Sequence, residues 1–267
     1  MKKKRLIPVV LLRNGWLVQS KEFKRYQNIG NPMSSVKRFS EWESDELIYL
    51  NISKDDSFDM RRDDLGHPNH NTLLNILADV SKVTFMPITV GGGIRTLSDI
   101  QTRLSLCADK VSINTQALAD PAFVHSSSRE FGSQCIIVSI DARRIDNKYV
   151  VMSEGGRNIT SHQVKDWVKR MEDSGAGEIL INSVDRDGMK TGYDIELLDE
   201  VANTVNIPVI ALGGVGEFSH FADALAQTNV DAVAAANIFQ YIDQSVFLAK
   251  NYLVDRGFNV RKIFNRK

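Results

Sequence analysis

The sequence predicts a single (β/α)8 (TIM) barrel spanning residues 1–267, assembled from two (β/α)4 half-barrels. Three observations predict it. Short apolar runs alternate eight times with amphipathic segments, and no linker or low-complexity stretch interrupts them. The stretch Pro87-Ile-Thr-Val-Gly-Gly-Gly-Ile94 recurs, reworked, as Pro208-Val-Ile-Ala-Leu-Gly-Gly-Val215, 121 residues on. Asp109-Lys-Val-Ser-Ile-Asn114 recurs as Asp231-Ala-Val-Ala-Ala-Ala236, 122 residues on. A βαβ piece used twice, half a chain apart, suits a closed eightfold barrel. A doubly wound open sheet would explain the alternation but not the repeat.

The elements follow in order. Residues 6–12 form an apolar run closed by Arg13-Asn14-Gly15, a buried strand followed by a turn, and residues 16–20 suit the second strand of a hairpin. Residues 21–31 are polar and basic and read as a loop. Pro32 opens a helix carrying Val36, Phe39 and Trp42. Strand 47–52 leads through the polar segment 53–69 to helix 71–83, with Leu73, Leu74, Leu77 and Val80 on one face. Then come strand 88–90, helix 97–106, strand 110–113, helix 121–131 and a fifth strand, 135–141. A hairpin turn at 145–149 feeds 149–153, followed by helix 162–173 and strand 178–182. Helix 195–205, strand 209–211, helix 218–227, strand 232–236 and a last helix, 246–256, complete the alternation.

Lys plus Arg and Asp plus Glu both count 33, which argues against a nucleic-acid partner. The apolar run behind Met1-Lys2-Lys3-Lys4-Arg5 is too short for a signal peptide or membrane span. Cys107 and Cys135 show no CxxC or metal spacing, so two free, buried thiols in a reducing cytoplasm are expected. His67-Pro-Asn-His70 lacks acidic or cysteine partners and reads as polar surface. No metal or cofactor is expected. Trp42 and Trp167 should pack helices onto the barrel, and Trp16 lies close to its mouth.

Function in such a barrel sits at the carboxyl ends of the strands. Gly92 and Gly93 follow the third strand, and Gly213 and Gly214 follow the seventh. Glycines there let backbone N–H groups approach an anion, with a helix amino end behind them. Asn114 and Thr115, Ala236 and Asn237, and Asp187 with Gly188 end the neighbouring strands and complete two phosphate clamps. Two clamps across one mouth imply a ligand with a phosphate at each end; tight βα turns are the plainer alternative. Between the clamps, Asp141 ends the fifth strand and suits general acid–base work. At the other rim, Arg5, Glu46, Lys110 and Glu178 begin four strands with alternating charge. They read either as a stabilising ion-pair ring or as a charged plug across an axial passage.

These motifs carry a family resemblance. Over about residues 4–262 the sequence resembles the cyclase subunit (HisF type) of imidazole glycerol phosphate synthase, through Thr89-Val-Gly-Gly-Gly-Ile94, Ala108-Asp-Lys-Val-Ser-Ile-Asn-Thr115, Phe131-Gly-Ser-Gln134, Ile140-Asp-Ala-Arg143, Gly175-Ala-Gly-Glu-Ile179, Asp185-Arg-Asp-Gly188 and Gly192-Tyr-Asp194. The resemblance implies a glutaminase partner at the amino-terminal face and ammonia passing a gate at Arg5, Glu46, Lys110 and Glu178. It also implies a bis-phosphorylated nucleotide acceptor.

Three positions depart from the family. The catalytic aspartate implied on the first strand is Leu11, the lysine implied on the first loop is Gln19, and the aspartate implied after the second strand is Asn51. This pattern resembles an offshoot from surface-polysaccharide clusters, in which barrel and glutaminase supply ammonia to a sugar amidotransferase that makes an acetamidino group. A working histidine-biosynthetic cyclase and a non-catalytic activator of the glutaminase are the alternatives.

Overall fold

The structure, a computed structural model, describes residues 2–54, 58–60 and 70–262. The chain runs β1 (Arg5–Arg13), β2 (Trp16–Lys21), β3 (Arg25–Gly30), α1 (Pro32–Glu41), β4 (Leu47–Asn51), α2 (Leu73–Val83), β5 (Ile88–Gly91) and α3 (Leu97–Leu106). It continues through β6 (Lys110–Ile113), α4 (Thr115–Ala119), α5 (Ala122–Phe131), a 3-10 turn at Ser133–Cys135, β7 (Ile136–Ile145), β8 (Lys148–Ser153), β9 (Asn158–Gln163) and α6 (Val164–Asp173). Then follow β10 (Glu178–Ser183), α7 (Ile195–Thr204), β11 (Val209–Leu212), α8 (Phe218–Gln227), β12 (Ala232–Ala235), α9 (Ile238–Tyr241) and α10 (Ser245–Asp255).

Eight strands pair in parallel in the order β1, β4, β5, β6, β7, β10, β11, β12, and β12 returns to β1. The ring is closed, a (β/α)8 barrel. Period-two alternation gives most of the strands two apolar faces, while β5 and β6 turn Thr89, Gly91, Lys110 and Ser112 inward. Ile7, Val9, Ile48, Ile137, Leu180 and Ile210 fill the bore. Leu6, Val10, Leu47 and Tyr49 point outward to the helices, among which Trp167 is fully buried and Trp42 half-buried against Phe39.

The strand starts carry a repeat of their own. Asp45 immediately precedes Glu46 and accepts the Leu6 N–H (2.9 Å). Asp109 precedes β6 and accepts the Ile88 N–H (2.8 Å), and Asp231 precedes β12 and accepts the Val209 N–H (3.2 Å). Each aspartate ties the start of one barrel strand to the next in sequence. In the fourth such pair Gly177 stands at the same place, donating its N–H to the Ile136 carbonyl (2.8 Å).

Four local features differ from expectation. Residues 21–31 contain β3, which pairs antiparallel with β2; its polar, largely uncovered side chains gave no alternation to read. His162 lies on β9, not on the helix behind it, because β8 and β9 extend the fifth barrel strand as a meander. The short helices α4 and α9 sit inside turns. Cys107 and Cys135 are free but half-buried, at the exposed strand entrances. Of the 53–69 segment, residues 55–57 and 61–69 lie outside the described residues, and with them His67; His70, expected to lack an acidic partner, bonds the Asp79 carboxylate in α2 (2.7 Å).

Candidate active site

The site is an axis with a charged floor, an apolar bore and a polar mouth. At the floor, Arg5 donates to Glu46 (2.6 Å) and Glu178 (2.9 Å), while Lys110 donates to Glu46 (3.2 Å) and Glu178 (2.5 Å). The four residues brought together from separate strand starts form one ring of alternating sign. Burial disfavours the Arg5 charge, but Glu178 and Glu46 more than offset it and hold its pKa above the ordinary guanidinium value. Asp45 steadies the ring from behind. Its second oxygen accepts from the fully buried Lys250 (2.6 Å), which also donates to the Glu43 carbonyl (2.6 Å).

Above the apolar layer, Leu11, Leu50 and Ala236 pack onto the bore at its carboxyl end. Leu11 is thus a mouth residue on β1, and β7, four strands round, carries Asp141. Asp141 is buried, and each of its oxygens accepts from an amide: Asn114 Nδ2 at 3.0 Å and Asn182 Nδ2 at 3.4 Å. Burial lifts its pKa to about 6; the two amides oppose that rise and the Asp187 charge adds to it. A carboxyl poised there can take or give a proton near neutrality.

Asn182 escaped the sequence reading. The signal was present, since Glu178, Leu180 and Asn182 alternate inward along β10.

The glycine turns are built for close approach. A side chain at Gly92 (φ +94°) would collide with the Asn51 carbonyl, and one at Gly214 (φ +99°) with the Gly192 carbonyl. Buried Arg103 donates to the Gly92 carbonyl (2.9 Å) and fixes that turn, and Thr96 and Asp99 cap α3 behind it. His220 Nδ1 accepts the Gly216 N–H (3.1 Å) at the start of α8. The amino ends of α3 and α8 follow the two turns.

The side chains expected beside them bond within the protein. Asn114 is on Asp141, and Asn237 Nδ2 donates to the Ser20 carbonyl (3.1 Å). Asp187 accepts from Ser20 Oγ (2.6 Å) and the Phe23 N–H (3.1 Å), and burial raises its pKa. Thr115 opens α4, and Gly188 lies against the Ser20 carbonyl. The β2–β3 hairpin is thereby laid over the β10 side of the mouth, with Phe23 against Gly156. Gln19 donates to Gln27 within that hairpin (2.7 Å), and Asn51 accepts from Ser53 (2.7 Å). Trp16 donates to Asp59 (3.3 Å) at the edge of a cleft of about 450 Å³ outside the hairpin.

The fold and site define a (β/α)8 barrel with paired glycine turns and a buried carboxylate at the carboxyl end of its strands, the end where such barrels carry their sites. A family model for histidine biosynthesis protein matches residues 5–244. The chain is 42% identical over 261 residues to the Vibrio vulnificus (strain YJ016) protein named "Putative imidazole glycerol phosphate synthase subunit hisF2", covering 98% of this chain and 92% of that one. It is 40% identical over 263 residues to the imidazole glycerol phosphate synthase subunit HisF of Staphylococcus carnosus (strain TM300), covering 98% and 99%. The chain belongs to the HisF-type cyclase family of imidazole glycerol phosphate synthase.

Proposed function

We propose that this barrel receives ammonia from a glutaminase partner at its amino face and passes it through the Arg5–Glu46–Lys110–Glu178 ring to the mouth, where ring closure has been given up. The ammonia serves acetamidino modification of a surface-polysaccharide sugar by a separate amidotransferase. One observation carries the reading: the four-charge ring is complete, while the mouth has Leu11 on β1 opposite the buried, doubly hydrogen-bonded carboxyl of Asp141 on β7. Leucine cannot exchange a proton, and loss of one general acid–base group costs ~10²–10⁴-fold in rate. Gln19, bonded to Gln27, offers no cation to a phosphate.

A second reading, a working cyclase of histidine biosynthesis, is favoured by Asp141, which keeps a buried, doubly hydrogen-bonded carboxyl with a pKa of about 6. The two separate in one assay. Supplied with ammonium and the histidine-pathway nucleotide, the purified protein should form imidazole glycerol phosphate ~10²-fold or more below a HisF enzyme. Leu11→Asp combined with Gln19→Lys should recover much of that rate. Cyclisation by the unaltered protein at the rate of a HisF enzyme would establish the second reading.

A further inference from the structure

We propose that Phe85 is the anchor around which the glutaminase subunit docks, off-centre on the first half-barrel. This rests on the ammonia-receiving reading above and adds the residue that holds the partner. Phe85 is 91% exposed, the most exposed large hydrophobic side chain among the described residues. It lies in the turn between α2 and β5 at the amino face, followed by half-buried Met86 and exposed Pro87. Strand β5 runs between β4 and β6, at whose entrances stand Glu46 and Lys110. The turn therefore borders the ring at the place where an incoming neutral molecule must be kept from water.

The backbone under Phe85 is held on three sides. The Phe85 N–H donates to Ser40 Oγ (3.2 Å), the Pro87 carbonyl accepts from Leu47 (2.9 Å), and the Ile88 N–H donates to Asp109 (2.8 Å). An anchor already fixed loses little freedom on binding.

The second half-barrel supplies the comparison. At Asn206 the same turn recurs: the Asn206 N–H donates to Glu172 (2.7 Å), the Pro208 carbonyl accepts from Ile179 (2.9 Å), and the Val209 N–H donates to Asp231 (3.2 Å). Backbone and supports repeat, but an exposed asparagine occupies the place of the exposed phenyl ring. The turn does not require an aromatic residue. Phe85 thus serves something outside the chain, and what the proposed reading brings to this rim is the glutaminase. Large side chains at such centres carry much of an interface's affinity.

The test is titration calorimetry of the full chain with the class I glutaminase subunit from the same organism. Phe85→Asn should weaken binding by ~30-fold or more, the effect of a hot-spot residue. Its thermal midpoint should be unchanged, because the same turn already carries asparagine at 206. Phe85→Tyr should keep affinity within about threefold. Ile159→Asn, at a 63% exposed site on β9, should bind like the unaltered chain. If the unaltered chain binds and Phe85→Asn binds within about threefold of it, the anchor is overturned while the ammonia reading stands. If the unaltered chain binds no glutaminase, the ammonia reading falls and takes the anchor with it.

Discussion

At the scale of single residues, Asp141 sets the pH behaviour of the mouth. Burial raises its pKa from an ordinary 3.8 to about 6. The folded-state value lies above the unfolded one, so the protonated carboxyl favours folding. That contribution is complete below about pH 4 and is lost as pH rises through 6. Between pH 4 and pH 7.5 it amounts to on the order of 2–3 kcal/mol. Asp141→Asn should remove this part of the pH dependence and raise the urea midpoint at pH 7.5 but not at pH 4. Asn182 suits that substitution, because its unpartnered Oδ1 can turn to accept from the new amide. Any activity that uses Asp141 as a base should rise with a midpoint near pH 6 and vanish in the same variant. A second contrast concerns the glycines. Gly92→Ala drives a methyl group into the Asn51 carbonyl and should prevent folding or cost several kcal/mol. Gly93→Ala meets nothing nearer than Arg103 Nη2 at 3.6 Å, so only its φ of +66° is penalised, by about 1 kcal/mol. Chemical denaturation of the two variants measures the difference.

At the scale of elements, the strand starts behave as a jointed frame. Asp45 joins Leu6, the neighbour of Arg5, to Lys250 on the last helix. Burial lowers the Lys250 pKa and Asp45 opposes the fall, so losing the carboxylate strands a buried cation. Asp45→Leu should cost about 3–5 kcal/mol by thermal or urea unfolding. Adding Lys250→Met should return a large part of it, since replacing both members of a buried pair is far milder than removing one.

This frame also marks what the sequence could reveal. The eight parallel strands were legible because their apolar runs are covered on both faces. The ring residues were legible as charges at the head of such runs. The β2–β3 and β8–β9 extensions were not, because strands such as Arg25–Gly30 are largely polar and take their order from pairing rather than from a buried face. The positions of Asn114 and Asn237 at strand ends are legible in the sequence, whereas the bonds of their amides to Asp141 and to the Ser20 carbonyl depend on how distant strands and the β2–β3 hairpin meet in the fold.

At the scale of the molecule, the two half-barrels share a frame and differ in their equipment. Asp109 and Asp231, Pro87 and Pro208, and the paired glycine turns repeat. Leu11 against Asp141 and Phe85 against Asn206 do not. The repeated set keeps the barrel closed, and the unmatched set holds what is proposed for chemistry and docking. The floor ring adds one further consequence. Two cations and two carboxylates sum to zero, so the ring gives the axis no net electrical attraction for either sign. Beyond it the bore is walled mostly by aliphatic side chains, with only the neutral hydroxyls of Thr89, Ser112 and Ser139 set among them, so an ion gives up hydration there at a cost of several kcal/mol. On the proposed reading, the molecule thus selects by protonation state rather than by size. Uncharged ammonia meets little resistance along the axis, and ammonium of nearly the same dimensions is refused.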